Sequence, residues 1–276
     1  MPGERLPLQW EALKRALATR VVGRNLHWYE TVDSTNTVLL ARAAEGAPDE
    51  TVVVAEYQTG GRGRGARRWW APPRTCLLFS ILFRPPFLLP AESHQLTMLC
   101  SLAVCEAVEE VAGLALALKW PNDLLLAGRK VGGILTEGAF VGGRLAHAVV
   151  GVGLNVNVDF AAPGGEADAQ ELAHLAEEAT SLMHHLRQPV DRTALLRAIL
   201  ERVDDRYHRL AEGRPFHQEW SRRLATLGQR VRVQTGTETL LGVAEAVDEG
   251  GALFVRLEDG QVRRILAGDV TQLRSV

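Results

Sequence analysis

The chain has 276 residues, of which 46% are hydrophobic and 23% are charged, a composition typical of one large globular domain or of a large domain with a small one. Its formal net charge of −2 excludes a global basic field that recruits nucleic acid, so a basic site has to be local. Charges throughout Met1–Arg24 predict that no signal peptide is present, and no apolar run is long enough to span a membrane, so we expect a cytoplasmic protein.

The N-terminal part of the chain predicts helices and strands in alternation. Apolar residues at helical spacing predict a short helix over Trp10–Arg20, and Leu26–Glu30 has the pattern of a strand. Ser34 is a candidate N-cap for a helix that ends at Ala44. The β-rich run Thr51–Tyr57 follows and leads directly into the most unusual segment of the sequence.

Glycines alternate with arginines in Gly60–Trp70, here named the Gly/Arg loop, and two tryptophans close it. No acidic residue occurs between Glu56 and Glu92. Glycine lets backbone amides approach a ligand closely, and guanidinium groups donate in a rigid fork to phosphate or carboxylate oxygens. A solvated basic linker is the alternative, but a second buried strand is predicted soon after it, at Cys76–Phe83. We therefore expect a loop that is mobile until it folds over an anionic ligand.

The middle of the chain predicts a long helix followed by closely spaced strands. The helix spans Ser93–Val111 and ends before Gly113. The strands that follow it are predicted at Ala115–Trp120, Leu124–Leu126, Val131–Glu137 and Arg144–Val152. Gly128-Arg129 and Gly142-Gly143 are the predicted hairpin turns between these strands.

The C-terminal part of the chain changes from helices to short strands. Helical patterns cover Asp168–Leu186 and Asp191–Glu212, and a shorter helix is predicted near Phe216–Leu224. Beyond them, four short strands separated by glycine-rich turns predict a small β-barrel. We therefore predict an α+β fold, with a mixed, largely antiparallel sheet and flanking helices over residues 1–226 and a small β domain over residues 227–276.

Several common sites are disfavoured. The sequence contains no GxxxxGK[ST] phosphate loop, no HExxH and no GxSxG. The glycines of the Gly/Arg loop do not open a helix in a βαβ unit, which argues against a dinucleotide fold. Cys76, Cys100 and Cys105 lack metal-type spacing and are predicted to be buried free thiols.

Four polar segments are candidates for the walls of a binding site. Asp33–Asn36 (DSTN) predicts helix capping, although its short polar side chains also suit a polar heterocycle at a helix N-terminus. Lys119–Asp123 (KWPND) is either a tight turn or part of a site, because a lysine is unusual at the end of an apolar strand. Two glycines early in Lys130–Glu137 (KVGGILTE) predict close approach of a ligand or of another backbone. Gly151–Asn157 (GVGLNVN) has amides that suit a base or a ribose.

Together with the Gly/Arg loop, these motifs resemble those of the biotin protein ligase family. The matches are GRGRGARRW (Gly61–Trp69), DSTN, KWPND, KVGGILTE and GVGLNVN, in the family's order and spacing, and the resemblance extends from Leu26 to the C-terminus. It implies a class II synthetase-like catalytic domain followed by an SH3-like β-barrel. It also implies an ATP-dependent biotin–[biotin carboxyl carrier protein] ligase, which activates biotin as biotinyl-5′-AMP and transfers it to one lysine of the carrier protein.

The resemblance assigns roles to residues of these segments. The residues implied in biotin binding are Ser34, Thr35, Asn36, Gln58, Gly61, Arg62, Gly63, Arg64, Trp69, Lys130, Gly132 and Gly133. Those implied in ATP binding are Arg64, Arg67, Trp69, Asn122, Lys130 and Asn155. Lys130 and Arg64 are the implied catalytic cations, with Lys119 and Asp123 assisting through Mg²⁺, whose ligands the resemblance leaves unassigned. Ala66 stands where the family often has glycine, directly after Gly65.

Two other functions remain as alternatives. A lipoate–protein ligase shares the fold and the adenylate chemistry, but the Gly/Arg loop combined with KWPND and KVGG favours the biotin branch. A biotin-responsive repressor or non-catalytic binding module belongs to another functional class. Only 25 residues precede Leu26, which predicts that an N-terminal DNA-binding module is lacking, while Lys130 and Arg64 favour catalysis. We expect a biotin carboxyl carrier protein as partner, a homodimer, and no binding to nucleic acid or membrane.

Overall fold

The computed structural model of the chain describes residues 6–160, 177–236 and 238–273. Helices with both ends in these ranges are α1 Trp10–Ala16, α2 Thr35–Ala44, α3 His94–Ala112, α4 Leu182–Leu186, α5 Arg192–Ala211 and α6 His217–Arg223, and a 3₁₀ turn covers Pro90–Glu92. The larger sheet contains β1 Leu26–Val32, β2 Val52–Gln58, β3 Cys76–Phe83, β4 Ala117–Lys119, β5 Asp123–Leu126, β6 Arg129–Val141 and β7 Arg144–Asn155. The smaller sheet contains β8 Arg230–Gln234, β9 Thr239–Val247, β10 Leu253–Leu257, β11 Val262–Ile265 and β12 Asp269–Gln272.

The larger sheet is mixed and largely antiparallel, which confirms the predicted α+β class. Its strand order is β1-β2-β3-β7-β6-β5-β4, in which β1 and β2 are parallel and the other neighbours are antiparallel. One face packs against α3 and α5, which contact each other over the main hydrophobic core. The other face carries α2, held there by a small cluster around Leu39, Val53 and Val149. Since α2 covers only part of this face, the rest of it is available for a site.

The apolar run of β3 and the glycines after α3 and β6 explain where these central elements form and end. All eight residues of β3 are buried, because the strand lies in the middle of the sheet and contacts α2 and α5. Helix α3 ends where Gly113 adopts a φ of +64°, a conformation that glycine reaches without steric cost. Gly142 and Gly143, with φ of +57° and +74°, form the predicted two-residue turn between β6 and β7. None of the described helices has the length and apolar character needed to cross a membrane.

The turn between β5 and β6 lies one residue earlier than predicted. Leu126 pairs with Arg129, so the two turn residues are Ala127 and Gly128, with φ of +49° and +77°. A two-residue turn that follows the twist of the sheet needs positive φ at both positions. Gly128 meets that need at the second position, and Arg129 is already the first residue of β6.

Residues 168–176 of the helix predicted over Asp168–Leu186 lie outside the described residues, and the rest of that segment is not one helix. The segment instead runs beside β6, where the Thr180 N–H donates to the Lys130 carbonyl oxygen at 2.8 Å. Helix α4 begins after Ser181, whose hydroxyl accepts from a backbone N–H of the helix. The helical pattern misses this arrangement because the pairing depends on a strand far away in the sequence.

The C-terminal sheet has five strands among the described residues, one more than the pattern predicts. The strand order is β11-β10-β9-β8-β12, with antiparallel neighbours. The strand that the pattern misses is β12, because Val270 is its only buried residue and gives no visible alternation. The Trp120 indole N–H donates to the Gly251 carbonyl oxygen at 2.8 Å and ties this sheet to the larger one.

The three cysteines are free and buried, as predicted. Burial raises the pKa of Cys76 and of Cys105 to about 12, and it raises the pKa of Cys100 as well. These thiols therefore stay protonated at neutral pH, which makes them poor nucleophiles and poor metal ligands.

Glu50 is a buried carboxyl that makes the stability of the fold depend on pH. The residue is 6% exposed, and burial, followed by the nearby charges of Asp49 and Asp204, raises its pKa from 4.5 to about 7. Between these two pH values the folded protein retains a proton that the unfolded chain has lost. The contribution of Glu50 to the free energy of unfolding is therefore full below pH 4.5 and is lost as pH rises through about 7.

Glu50→Gln is expected to remove this loss, because an amide has no charge to bury. Relative to the parent protein, the variant should gain about 1–3 kcal/mol of unfolding free energy at about pH 8 and little at about pH 4. Urea unfolding at both pH values measures the difference. Glu45→Gln, at an exposed neighbouring carboxyl, is the control. An equal difference at both pH values contradicts the explanation.

Candidate active site

A cleft of about 950 Å³ lies on the part of the larger sheet that α2 leaves uncovered. Three glycines of β6 and β7, Gly133, Gly151 and Gly153, contribute to its floor. Its walls are the N-terminus of α2, the Gly/Arg loop, the turn between β4 and β5, and β12. The predicted site residues that line it are Ser34, Thr35, Asn36, Gln58, Arg62, Gly63, Arg64, Arg67, Trp69, Lys119, Asn122, Asp123, Lys130, Gly133 and Asn155.

At one end of the cleft, residues at the start of α2 and the end of β2 form a polar pocket. The Gln58 side-chain oxygen accepts from the Thr35 N–H at 2.7 Å and from the Thr35 hydroxyl at 3.0 Å. The Gln58 amide nitrogen is therefore the atom left to donate to a ligand. Ser34 occupies the N-cap position as predicted, but its hydroxyl makes no capping bond among the described residues and stays available to a ligand.

A chain of hydrogen bonds holds this pocket in place. The Ser80 hydroxyl lies 2.7 Å from the Thr35 hydroxyl and donates to Asn36 Oδ1 at 2.6 Å. Asn36 Nδ2 donates to Glu137 Oε2 at 2.8 Å, and Arg62 Nη2 lies 2.6 Å from the same oxygen. Ser80 lies outside the segments predicted to form the site, and Glu137, although it ends the KVGGILTE segment, is not among the individual site residues predicted from the sequence. The available signal for Ser80 is that it carries the one hydroxyl in the run CLLFSILF.

The floor consists of glycines because other groups lie where a Cβ atom would be. A Cβ on Gly151 would lie 2.1 Å from Asn36 Oδ1, and one on Gly153 would lie 2.5 Å from Cε2 of the Trp69 indole. The Trp69 ring therefore rests directly on the backbone of β7. Its Nε1–H is buried without a hydrogen-bond partner among the described residues, so a bound ligand can satisfy it. Gly132 does not line the cleft, and a Cβ there would lie 2.9 Å from the Gly153 carbonyl oxygen.

The Gly/Arg loop folds back on itself at its base. The Trp69 N–H donates to the Gly61 carbonyl oxygen at 2.9 Å, and a Cβ on Gly61 would lie 2.3 Å from the Trp69 carbonyl oxygen. Gly61 therefore permits this backbone crossing and does not line the cleft. At the tip of the loop, Gly65 adopts the left-handed conformation that the turn requires, with a φ of +61°. Ala66 does not have a positive φ, so alanine fits this position without strain. The expected mobility of the loop stays a prediction.

Strand β12 holds two arginines of the loop. Arg67 forms an ion pair with Asp269, while Arg64 Nη1 donates to the Gly268 carbonyl oxygen at 3.1 Å and lies 3.4 Å from the Asp269 carboxylate. Burial lowers the pKa of the Arg64 guanidinium and Asp269 opposes this effect, so the group stays charged at neutral pH. Asp269 is a further residue of the cleft that is not predicted from the sequence. An anionic ligand that binds both arginines has to displace or share this carboxylate.

Both lysines of the cleft lie near Asp123. Lys130 Nζ lies 2.6 Å from Asp123 Oδ1 and 6.0 Å from the centroid of the Trp69 ring. The Lys130 side chain is 38% exposed, so its ammonium group keeps access to the cleft. Lys119 on β4 is the strand partner of Asp123 on β5. With the loop arginines, these lysines make the cleft suitable for an anion that carries more than one charge.

Asn122 and Asn155 brace two walls of the cleft. Asn122 Nδ2 donates to the Ile134 carbonyl oxygen at 2.7 Å, which fixes the β4–β5 turn against β6. Asn155 Nδ2 donates to the Thr180 carbonyl oxygen at 3.1 Å, which holds the segment before α4. Both amides therefore position the walls in addition to lining the cleft.

Two family models match the chain. The model of the Biotin/lipoate A/B protein ligase family matches residues 28–155, and that of the Biotin protein ligase C terminal domain matches residues 226–271. The first range contains α2, the Gly/Arg loop and both lysines of the cleft, and the second contains Asp269. The matched ranges thus include both parts of the chain that meet at the loop arginines.

Relatives cover nearly the whole chain. It is 32% identical to the biotin–[acetyl-CoA-carboxylase] ligase of Mycobacterium tuberculosis, over 95% of this chain and 96% of that protein. It is also 32% identical to the bifunctional ligase/repressor BirA of Bacillus subtilis, over 94% of this chain and 77% of that protein. Among solved structures, the biotin protein ligase from Aquifex aeolicus in complex with biotin and ATP is similar with a TM-score of 0.73 and 30% identity, over 91% of this chain and 100% of that one.

Proposed function

Because this chain belongs to the biotin protein ligase family, we propose that its cleft activates biotin with ATP as biotinyl-5′-AMP and transfers biotin to a lysine of a biotin carboxyl carrier protein. The observation that carries this proposal is that the polar pocket, the Gly/Arg loop and Lys130 surround one cleft. The Mycobacterium relative, whose name specifies acetyl-CoA carboxylase, supports the choice of carrier. The Aquifex structure in complex with biotin and ATP supports the choice of substrates.

The polar pocket suits the uncharged ureido ring of biotin. The Gln58 amide nitrogen and the Ser34 and Thr35 hydroxyls supply donors and acceptors to a ring that has both. The ureido group brings no charge, so neutral partners bind it without the cost of burying an unpaired ion. Arg62 lies on the loop side of the pocket, where Asn36 and Arg62 share a carboxylate, and it would close over the bound ring.

The cationic part of the cleft suits the carboxylate and the phosphates. In the first step a carboxylate oxygen of biotin forms a bond to the α-phosphorus of ATP, the bond to the bridging oxygen breaks, and pyrophosphate leaves. Two anions have to meet, so cations fixed in advance lower the barrier more than a protein nucleophile does. We assign Lys130 to the biotin carboxylate and the α-phosphate, Arg64 and Arg67 to the phosphates, and Lys119 to support of Lys130.

The loop and its tryptophan suit the protection of the intermediate. We assign Trp69 to the adenine side of the nucleotide, with Asn122 and Asn155 nearby. The Gly/Arg loop covers the mixed anhydride, which water otherwise hydrolyses. In the second step the amine of the carrier lysine attacks the carbonyl carbon of biotin, an amide bond forms and AMP leaves.

Mg²⁺ fits this cleft as a companion of ATP. No group of three or more His, Cys, Asp or Glu residues that could hold a metal occurs in the part of the chain that the structure describes. Mg²⁺ commonly binds through one or two carboxylates and takes its other ligands from phosphates and water. We propose Asp123, beside Lys130, as its protein ligand. Bound there, Mg²⁺ would neutralise charge on the phosphates.

Incubation of the protein with ATP and either biotin or lipoate tests the proposal. We expect mass spectrometry to detect biotinyl-5′-AMP with biotin and no lipoyl-AMP with lipoate. An added biotin carboxyl carrier domain should gain the mass of one biotin, with release of AMP. Lipoyl-AMP in place of biotinyl-5′-AMP, or no adenylate with either acid, contradicts the proposal.

Ser80→Ala is expected to raise the KM for biotin, although Ser80 lies beneath the pocket. The variant loses the donor to Asn36 Oδ1 at a buried position, which costs about 1–2 kcal/mol of unfolding free energy and lets Asn36 shift. We expect the KM for biotin to rise about three- to tenfold and the KM for ATP to stay nearly constant.

Ser101→Ala is the matched control for this variant. Ser101 is also buried, but it donates to the Met98 carbonyl oxygen at 2.8 Å within α3, on the opposite face of the sheet. It should lower stability by a similar amount without changing the KM for biotin. Equal rises of both KM values in Ser80→Ala would show that the pocket is not selectively affected.

We propose a homodimer as the assembly state. The β6–β7 hairpin carries Phe140 and Val141, whose exposures of 55% and 70% are high for large apolar residues. Exposed apolar groups that are close together are common at protein interfaces. Light scattering after gel filtration should give twice the mass of the chain. The mass of a single chain at all concentrations tested contradicts this assembly.

A further inference from the structure

Glu137 lies at the point where the polar pocket and the Gly/Arg loop meet. Its Oε2 atom accepts from Asn36 Nδ2 at 2.8 Å and lies 2.6 Å from Arg62 Nη2. We infer that Glu137 is a positioning residue that holds the Gly/Arg loop against the polar pocket. Its simultaneous contact with Asn36 and Arg62 is here named the latch. The link to biotin rests on the proposed function, whereas the latch itself rests on the contacts of this carboxylate.

The position of Glu137 on β6 explains why it acts through other residues. Gly133 and Leu135 line the cleft, and Glu137 follows them on the same face because side chains alternate along a strand. Glu137 itself does not line the cleft. Its carboxylate therefore reaches the site only through Asn36 and Arg62.

Asn36 gives the carboxylate a fixed partner. Asn36 is 3% exposed, and its amide group also accepts from Ser80 at 2.6 Å and donates to the Leu135 carbonyl oxygen at 3.3 Å. The lack of a side chain on Gly151 leaves the space that Asn36 Oδ1 fills. The amide is thus held from three sides, and Glu137 Oε2 becomes a stationary anion at the edge of the pocket.

Arg62 is the partner of this anion on the Gly/Arg loop. Backbone hydrogen bonds from the Trp69 N–H to Gly61 and from the Gly63 N–H to Arg67 fold the loop on itself. These bonds stay within the loop, whereas the contact of Arg62 with Glu137 joins the loop to the polar pocket. The Arg62 and Glu137 side chains are 40% and 29% exposed. A pair this exposed adds little to the stability of the fold, but it is sufficient to bias a local equilibrium several-fold.

A second carboxylate, Asp269, holds the loop differently. It pairs with Arg64 and Arg67, which we assign to the phosphates, so ATP competes with it. Glu137 pairs with an arginine on the biotin side and does not compete with phosphate. The contact between Arg62 and Glu137 can therefore persist through both steps of the reaction.

Trypsin cleavage after Arg67 and Arg68, both exposed, tests the latch in the ligand-free protein without any biotin chemistry. We expect Glu137→Ala to speed cleavage about three- to tenfold, as for the loss of one partly exposed, charge-assisted contact. Arg62→Ala should have the same effect, and the double variant should be no faster than either single variant. Unchanged cleavage in Glu137→Ala, or additive effects in the double variant, would overturn the inference.

Glu245→Ala is the matched control. Glu245 on β9 pairs with Arg256 at 2.6 Å and is 35% exposed, close to the value for Glu137, but it lies on the C-terminal sheet. We expect this variant to be cleaved in the loop at the parent rate. Accelerated cleavage in Glu245→Ala would show that loop opening follows general destabilisation, which overturns a specific role for Glu137.

Retention of the adenylate tests the functional consequence. Biotinyl-5′-AMP made from labelled ATP and chased with unlabelled substrates should leave Glu137→Ala about three- to tenfold faster than the parent protein and Glu245→Ala. Equal release rates would overturn the link to biotin. If the parent protein forms no adenylate, the proposed function fails, and the trypsin series still decides whether Glu137 holds the loop.

Discussion

Lys130→Ala is expected to lower the rate of biotinyl-5′-AMP formation by a factor of about 10²–10³. The Lys130 ammonium lies 2.6 Å from Asp123 and 6.0 Å from the Trp69 ring centroid, so these groups hold it in place before substrates bind. Its removal takes away the cation that we assign to the junction of the biotin carboxylate and the α-phosphate. It also takes from the Asp123 carboxylate its ion-pair partner and leaves Mg²⁺ as the one cation proposed to balance that carboxylate beside the phosphates. Both effects should raise the energy of the transition state more than that of bound biotin, which we assign to the neutral groups of the polar pocket.

Pyrophosphate release in a single turnover measures this loss separately from transfer to the carrier. The KM for biotin should change much less than the rate constant for adenylate formation, because the polar pocket is intact in the variant. Lys14→Ala is the control, since Lys14 pairs with Glu11 at 2.9 Å on the exposed side of α1 and lies outside the cleft. Pyrophosphate release near the parent rate in Lys130→Ala would remove Lys130 from the catalytic step.

The parts of the fold that the sequence predicts correctly are those determined by neighbouring residues in the chain. The run CLLFSILF predicts a buried strand from its own composition. Gly113 ends α3, and Gly142 with Gly143 closes the β6–β7 hairpin, because each glycine adopts the positive φ that its turn requires. The motifs of the cleft are likewise contiguous segments, so their resemblance to a family can be recognised before their spatial arrangement is known.

The features that the sequence does not reveal depend on contacts between distant segments. Ser80 is one polar residue in an apolar strand until α2 places Asn36 beside it. Asp269 lies in a strand too short for a visible alternation, and its partners are arginines of the Gly/Arg loop. Thr180 is not helical, although the pattern predicts a helix there, because its N–H pairs with the carbonyl oxygen of Lys130. Tertiary contacts override local preference at each of these positions.

Gly153→Ala is expected to lower kcat/KM for ATP by a factor of about 10² while the protein stays folded. A methyl group at this position would lie 2.5, 2.8 and 2.9 Å from three atoms of the Trp69 indole, whereas carbon atoms in contact prefer about 3.5–4.0 Å. The ring therefore has to lift off β7 by about 1 Å. The backbone N–H of Trp69 donates to the Gly61 carbonyl oxygen. The displacement therefore spreads to the base of the Gly/Arg loop and to the arginines that we assign to the phosphates.

Two comparisons separate a displaced indole from a damaged fold. Gly236→Ala is the control, since a Cβ there would have no atom within 4 Å among the described residues and its φ lies outside the left-handed region. It should keep the parent kcat/KM for ATP. If the indole transmits the effect, Gly153→Ala should change little in a protein that already carries Trp69→Ala, because the ring that the methyl group displaces is absent. A full further loss in the double variant would mean that the floor of the cleft contacts the nucleotide directly.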